Sequence, residues 1–179
     1  MKSIGRMTQA ELAAYVQSHL RTKGITVVLS GGAAVAIYSA NKYVSADIDL
    51  VDVNFVTRKK IIEAMKEIGL SEKNRYFIHP ETSQIIEFPP GPLSVGEEPV
   101  KRIDELKFST GILRVISATD CVKDRLAAYY FWNDIQSLTQ AVLVAENSRV
   151  NISEIKRWSR TTGNLKEFEV FHKKLSGKV

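Results

Sequence analysis

Ile25-Thr26-Val27-Val28-Leu29-Ser30-Gly31-Gly32-Ala33-Ala34-Val35-Ala36-Ile37-Tyr38 and, shortly after it, Ser45-Ala46-Asp47-Ile48-Asp49-Leu50-Val51 are the stretches that decide the fold. The first begins with a β-branched run, which reads as a short buried strand. It breaks at Ser30-Gly31-Gly32 and continues into an alanine-rich segment from Ala33 to Tyr38, a good helix former. Residues 46–51 alternate polar and apolar side chains, the period-two signature of a strand. The order is therefore strand, glycine turn, helix, acidic strand.

Upstream, Thr8-Gln9-Ala10-Glu11 has the form of a capping box, and Leu12, Tyr15, Val16 and Leu20 follow at the spacing of one helix face, stopped by Gly24. Downstream, Thr57 caps a helix carrying Ile61, Ile62, Met65 and Ile68, closed by Gly69. Residues 75–79 and 84–88 read as a strand hairpin. Pro89-Pro90-Gly91-Pro92, with Gly96 and Pro99 beyond, reads as a loop. Residues 112–116 form the last expected strand, and Ser117 to Asp120 supplies caps for a helix reaching about Trp132. A helix from Asp134 to about Glu146 and one or two basic helices complete the chain. The expected class is α+β: a small mixed β-sheet flanked by helices, with a C-terminal helical part. The expected division is residues 1–117 for the core and 118–179 for the helical part.

With 179 residues, 44% hydrophobic and 25% charged, the composition is that of an ordinary globular domain and excludes disordered and collagenous classes. No run approaches the roughly 20 apolar residues of a spanning helix, so no membrane partner is expected. The start of the sequence lacks the apolar stretch of a secretory signal. Cys121 is the single cysteine, which rules out an internal disulfide and a thiolate zinc cluster; a reduced, cytoplasmic setting is the expectation. The formal charge is +5, and from Arg149 onward eight basic residues stand against three acidic ones, so this tail carries the whole excess. Such a tail is either a solvated helix face or a surface that attracts nucleic acid by neutralising phosphates.

Three features of the front half point to chemistry. Gly31 and Gly32, between a strand and a helix start, let a ligand approach the backbone, and the helix N-terminal amides favour a phosphate there. Asp47 and Asp49, one residue apart on a strand, project from the same face; aspartate is disfavoured in strands, and the repulsion between the pair is naturally offset by a divalent cation. Magnesium is the expected ion, with manganese as a substitute, because it takes one or two carboxylates and completes its shell with water and phosphate oxygens. Glu87, in Ile85-Ile86-Glu87-Phe88, either stands half-exposed at its strand end or completes a three-carboxylate cluster able to hold two metals roughly 4 Å apart.

Taken as an ordered set, Leu29-Ser30-Gly31-Gly32, the helix, Ser45-Ala46-Asp47-Ile48-Asp49-Leu50 and Ile86-Glu87-Phe88 resemble the signature of the nucleotidyltransferase superfamily of the DNA polymerase beta type. More loosely, Thr119-Asp120-Cys121-Val122-Lys123-Asp124-Arg125-Leu126 and the Trp132-Asn133-Asp134 junction are similar to small bacterial AbiEii-type proteins. The resemblance implies magnesium-dependent transfer of a nucleoside monophosphate from a nucleoside triphosphate to an acceptor hydroxyl, with pyrophosphate released. It implies that Ser30, Gly31 and Gly32 hold the triphosphate, that Asp47 and Asp49 bind metal, and that Glu87 binds metal or activates the acceptor. The sequence departs from the pattern where many members place a serine at position 32 and an aspartate at the third acidic position.

Lys123 and Arg125 are the candidate supporting cations. Lys123 either reaches a phosphate or pairs with Asp120 one helical turn away; Arg125, nearer the apolar line of its helix, either binds ligand or pairs with a carboxylate such as Asp134. Asp134 also suits a helix N-cap. The basic tail fits an RNA acceptor such as tRNA. The alternative to an enzyme is a non-catalytic nucleotide-binding regulatory module, or one that pairs with a toxin or antitoxin protein.

Overall fold

The computed structural model describes residues 2–177. After a single 3-10 turn (Ile4–Arg6), helix α1 (Gln9–Thr22) starts with the reciprocal bonds of its capping box: the Thr8 hydroxyl accepts from the Glu11 N–H, and the Glu11 carboxylate accepts from the Thr8 N–H. There follow β1 (Val27–Ser30), α2 (Gly31–Tyr38), β2 (Asp47–Asp52) and α3 (Arg58–Lys66), the last capped by Thr57. Next come β3 (Ser71–Lys73), β4 (Tyr76–His79), β5 (Thr82–Glu87), β6 (Ser94–Val95), β7 (Glu98–Pro99), β8 (Ile103–Phe108) and β9 (Gly111–Ile116). The back half consists of α4 (Ala118–Trp132), α5 (Ile135–Asn147), α6 (Ile152–Thr161) and α7 (Leu165–Leu175).

Seven strands form one mixed sheet in the order β3-β4-β5-β2-β1-β9-β8. The centre is β2, antiparallel to β1 and parallel to β5; β9 runs parallel to β1 and antiparallel to the edge strand β8. Helix α1 packs on β9 and β1, while α2 packs on β2 and against α4 and α5. Gln17 ties α1 to the sheet by bonding the backbone of one residue twice: it accepts from the Arg114 N–H at 2.8 Å and donates to the Arg114 carbonyl at 2.9 Å. Leu12, Leu20, Ile25, Leu29, Ile48, Leu50 and Phe77 are fully buried, and the same hydrophobic cluster continues through Leu126, Leu138 and Trp158 of the helices. Tyr130 stacks on Trp158 with ring centroids 5.5 Å apart, which fastens α4 to α6.

The architecture is α+β with a mixed sheet and a helical back half, as the alternation of patterns predicts. Two edge strands escape sequence reading. In β3 all three residues are exposed, and in β8 the charged Asp104, Glu105 and Lys107 equal in number the half-buried Ile103, Leu106 and Phe108. The proline-rich stretch is not purely loop either: β6 and β7 form a two-stranded hairpin separate from the main sheet, turning at Gly96. No helix among the described residues is long and apolar enough to cross a membrane.

Candidate functional site

Strand β2 places the acidic pair. Ile48 and Leu50 are fully buried on one face, so Asp47 and Asp49 project from the other, each half-buried. The parallel pairing with β5 sets Asp49 beside Glu87, and one oxygen from each of Asp47, Asp49 and Glu87 lies within 4.8 Å of the others. Burial, reinforced by the charges of Asp47 and Glu87 and opposed by that of Arg125, pushes the Asp49 carboxyl up to about 7. A carboxyl so perturbed, in a cluster of oxygen donors at this spacing, fits a hard divalent cation.

The antiparallel pairing of β1 with β2 brings Ser30 opposite Asp49, and α2 begins at the next residue. Gly31 has φ +64°, a left-handed conformation that glycine adopts without penalty. Position 31 also has no room for a side chain, since a Cβ there would fall 2.0 Å from Asp49 Oδ2. Ser30 occupies the N-cap position of α2 without a side-chain capping bond, leaving the first-turn amides beside the carboxylates for another acceptor. The turn and the acidic cluster are thus one site.

The structure separates the two candidate cations. Arg125 bonds Asp124 through Nε (3.0 Å) and Nη2, and Gln140 Oε1 through Nη1 at 3.5 Å; its charge is felt by Asp49. Lys123, only 3% exposed, points elsewhere, with Nζ 3.3 Å from Glu98, 3.4 Å from Asp120 and 3.4 Å from Glu154. Asp134 is the N-cap of α5, accepting from the Gln136 and Ser137 N–H groups. Two contributors were missed from sequence. Asp124 adds to the negative potential at Asp49, and its only sequence signal is its place beside Arg125. Ser45 donates to Asp47 Oδ1 at 3.0 Å, and it stands within the quoted acidic motif.

No protein-family model and no curated protein sequence matches this chain. Solved structures do. A crystal structure of ANT(2″)-Ia in complex with adenylyl-2″-tobramycin superimposes with a TM-score of 0.51 at 12% identity, over 94% of this chain and 99% of that one. In fold, the chain is similar to ANT(2″)-Ia. A solution structure of the antibiotic-resistance factor ANT(2″)-Ia aligns at 13% identity and a TM-score of 0.44, over 92% of this chain and 89% of that one. The expected α+β fold, a mixed sheet flanked by helices with a helical back half, is therefore present and is shared with that crystal structure.

Proposed function

We propose that this protein is a magnesium-dependent nucleotidyltransferase that moves a nucleoside monophosphate from a nucleoside triphosphate to an acceptor hydroxyl and releases pyrophosphate. The observation that carries the reading is the convergence of Asp47, Asp49 and Glu87 within 4.8 Å of one another at a helix start where Gly31 leaves no room for a side chain. The fold neighbour was solved with tobramycin carrying an adenylyl group, a product of the same kind of transfer.

Asp47 and Asp49 would hold the metal, magnesium or manganese, with Glu87 as a third donor. The bound ions would neutralise triphosphate oxygens and stabilise the leaving pyrophosphate. The first-turn amides of α2 at Gly31 and Gly32, with Ser30, receive phosphate oxygens, and the Arg125 guanidinium adds positive charge felt at Asp49. In the transfer the acceptor oxygen attacks the α-phosphorus, the bond from that phosphorus to the pyrophosphate oxygen breaks, and the acceptor proton passes to the Glu87 carboxylate. Lys123 has no phosphate role in this scheme because three carboxylates already surround it.

Arg160, Lys166, Lys173 and Lys174 are exposed along α6 and α7, which supports an RNA acceptor such as tRNA. Incubation with α-labelled ATP, CTP, GTP or UTP, magnesium and RNA tests both levels of the proposal. Labelled acceptor that disappears in Asp47→Ala and Asp49→Ala supports transfer, and labelling of a protein or small molecule in place of RNA changes the acceptor class. Nucleotide binding with no metal-dependent product would favour a non-catalytic regulatory or toxin-antitoxin module.

A further inference from the structure

Gly32 does not have the positive φ of its neighbour Gly31, so its backbone does not call for glycine. The reason lies in space. A Cβ at position 32 would fall 2.5 Å from Ser45 Oγ, 3.1 Å from Ser45 Cβ and 3.5 Å from Tyr43 Cε1. The hydroxymethyl group of Ser45 therefore occupies the volume that a side chain on the second turn residue would take. Ser45 is 5% exposed and donates its hydroxyl to Asp47 Oδ1 at 3.0 Å.

The placement of Ser45 is set from outside the site. Gln9 of α1 donates through Nε2 to the backbone carbonyls of Ser45 and Asp47, each at 3.2 Å, and to Gln84 Oε1 of β5 at 2.9 Å. This clamp holds the approach to β2 against α1, so the serine hydroxyl meets Asp47 from a fixed direction.

We infer that Ser45 is the positioning residue for Asp47: its hydroxyl engages one carboxylate oxygen, leaves the other for a cation shared with Asp49 and Glu87, and fills the space that a side chain at position 32 would take. The inference rests on the metal-binding reading of the site. It requires a reciprocal relation between positions 32 and 45. A serine at position 32 clashes while Ser45 is present, but when residue 45 is alanine the nearest side-chain atom is a Cβ at 3.1 Å, which a shift of a few tenths of an ångström accommodates.

Calorimetric titration of the full chain with manganese, alongside melting curves without metal, tests this. Loss of a hydrogen bond to a charged group should weaken manganese binding about tenfold in Ser45→Ala. Gly32→Ser should weaken it at least as much, and the double variant Gly32→Ser/Ser45→Ala should recover to within about threefold of wild type. Manganese affinity unchanged in Ser45→Ala, or a double variant that binds no better than either single one, overturns the inference while wild-type binding preserves the proposed function. If wild type binds no manganese, both fall together. A role confined to folding would lower the melting temperature of Ser45→Ala without changing the affinity of its folded fraction.

Discussion

Glu87 stands beside Asp49 in the parallel pairing of β2 and β5, so two carboxylates share one edge of the site. Their repulsion helps to raise the Asp49 carboxyl, and it is a cost that the protein without metal bears in its folded state. Glu87→Gln should therefore raise the stability of the metal-free protein, by up to about 1 kcal/mol, while lowering nucleotidyl transfer about 100-fold through loss of the proton acceptor. Urea denaturation in the presence of a chelator and labelled-nucleotide transfer read the two effects. A variant less stable than wild type would mean that Glu87 is held by attractive contacts.

The raised carboxyl of Asp49 gives the metal-free protein a pH dependence of definite sign. Between the ordinary aspartate value of 3.8 and about 7, the folded state holds a proton that the unfolded state has released. The contribution is thus complete below the unfolded value and is lost as pH rises through about 7. Magnesium reverses the trend, because a cation binds the ionised cluster and displaces that proton. The increase in melting temperature on adding magnesium should be larger at pH 8 than at pH 5, and absent in Asp49→Asn. An equal increase at both pH values would place the ion elsewhere.

Gly31 and Gly24 separate backbone strain from steric exclusion. Both have positive φ, +64° and +69°, but a Cβ on Gly24 meets nothing nearer than Lys60 Nζ at 4.0 Å. Gly24→Ala should cost about 1 kcal/mol in stability and leave ligand binding intact. Gly31→Ala should cost more and also displace the Asp49 carboxylate, lowering manganese affinity at least tenfold. Equal effects of the two substitutions on manganese binding would dissociate the turn from the acidic cluster.

The site was legible in sequence where its chemistry is local. The glycine turn, the one-residue spacing of Asp47 and Asp49 and the caps Thr8, Thr57, Ser117 and Asp134 each depend on residues a few positions apart. What escaped depends on tertiary placement. Edge strands such as β3 and β8 keep an exposed side, so they tolerate charges that hide the strand period. The fate of Lys123 was half visible: Asp120 lies one turn away, whereas Glu98 and Glu154 arrive from a hairpin and a helix that periodicity cannot bring together. Ser45 was in plain view, yet its tie to Gly32 exists only once β2 lies against α2.

Lys123 joins three elements, since its carboxylate partners come from β7, α4 and α6, and it also lies 5.8 Å from the Trp158 ring. Arg157 closes the group from the solvent side, bonding both oxygens of Glu98 and of Glu154. Because Lys123 is buried and Asp120 is 8% exposed, Lys123→Met would leave a carboxylate without its cation and should destabilise the protein by about 3 kcal/mol. Manganese affinity at the acidic cluster should not change. The hydrogen bonds of Arg157, aided by Lys123, hold Glu154 down to about 2 from its ordinary 4.5, and Glu98 is lowered in the same way. The Glu154 contribution is therefore complete above pH 4.5 and is lost as pH falls toward about 2, because the unfolded chain takes up protons first, and Glu98 adds stability lost in the same direction. As pH is lowered from 5 to 2, melting temperatures should fall steeply in wild type and less steeply in Arg157→Met, and parallel slopes would show that acid unfolding is governed by other carboxylates.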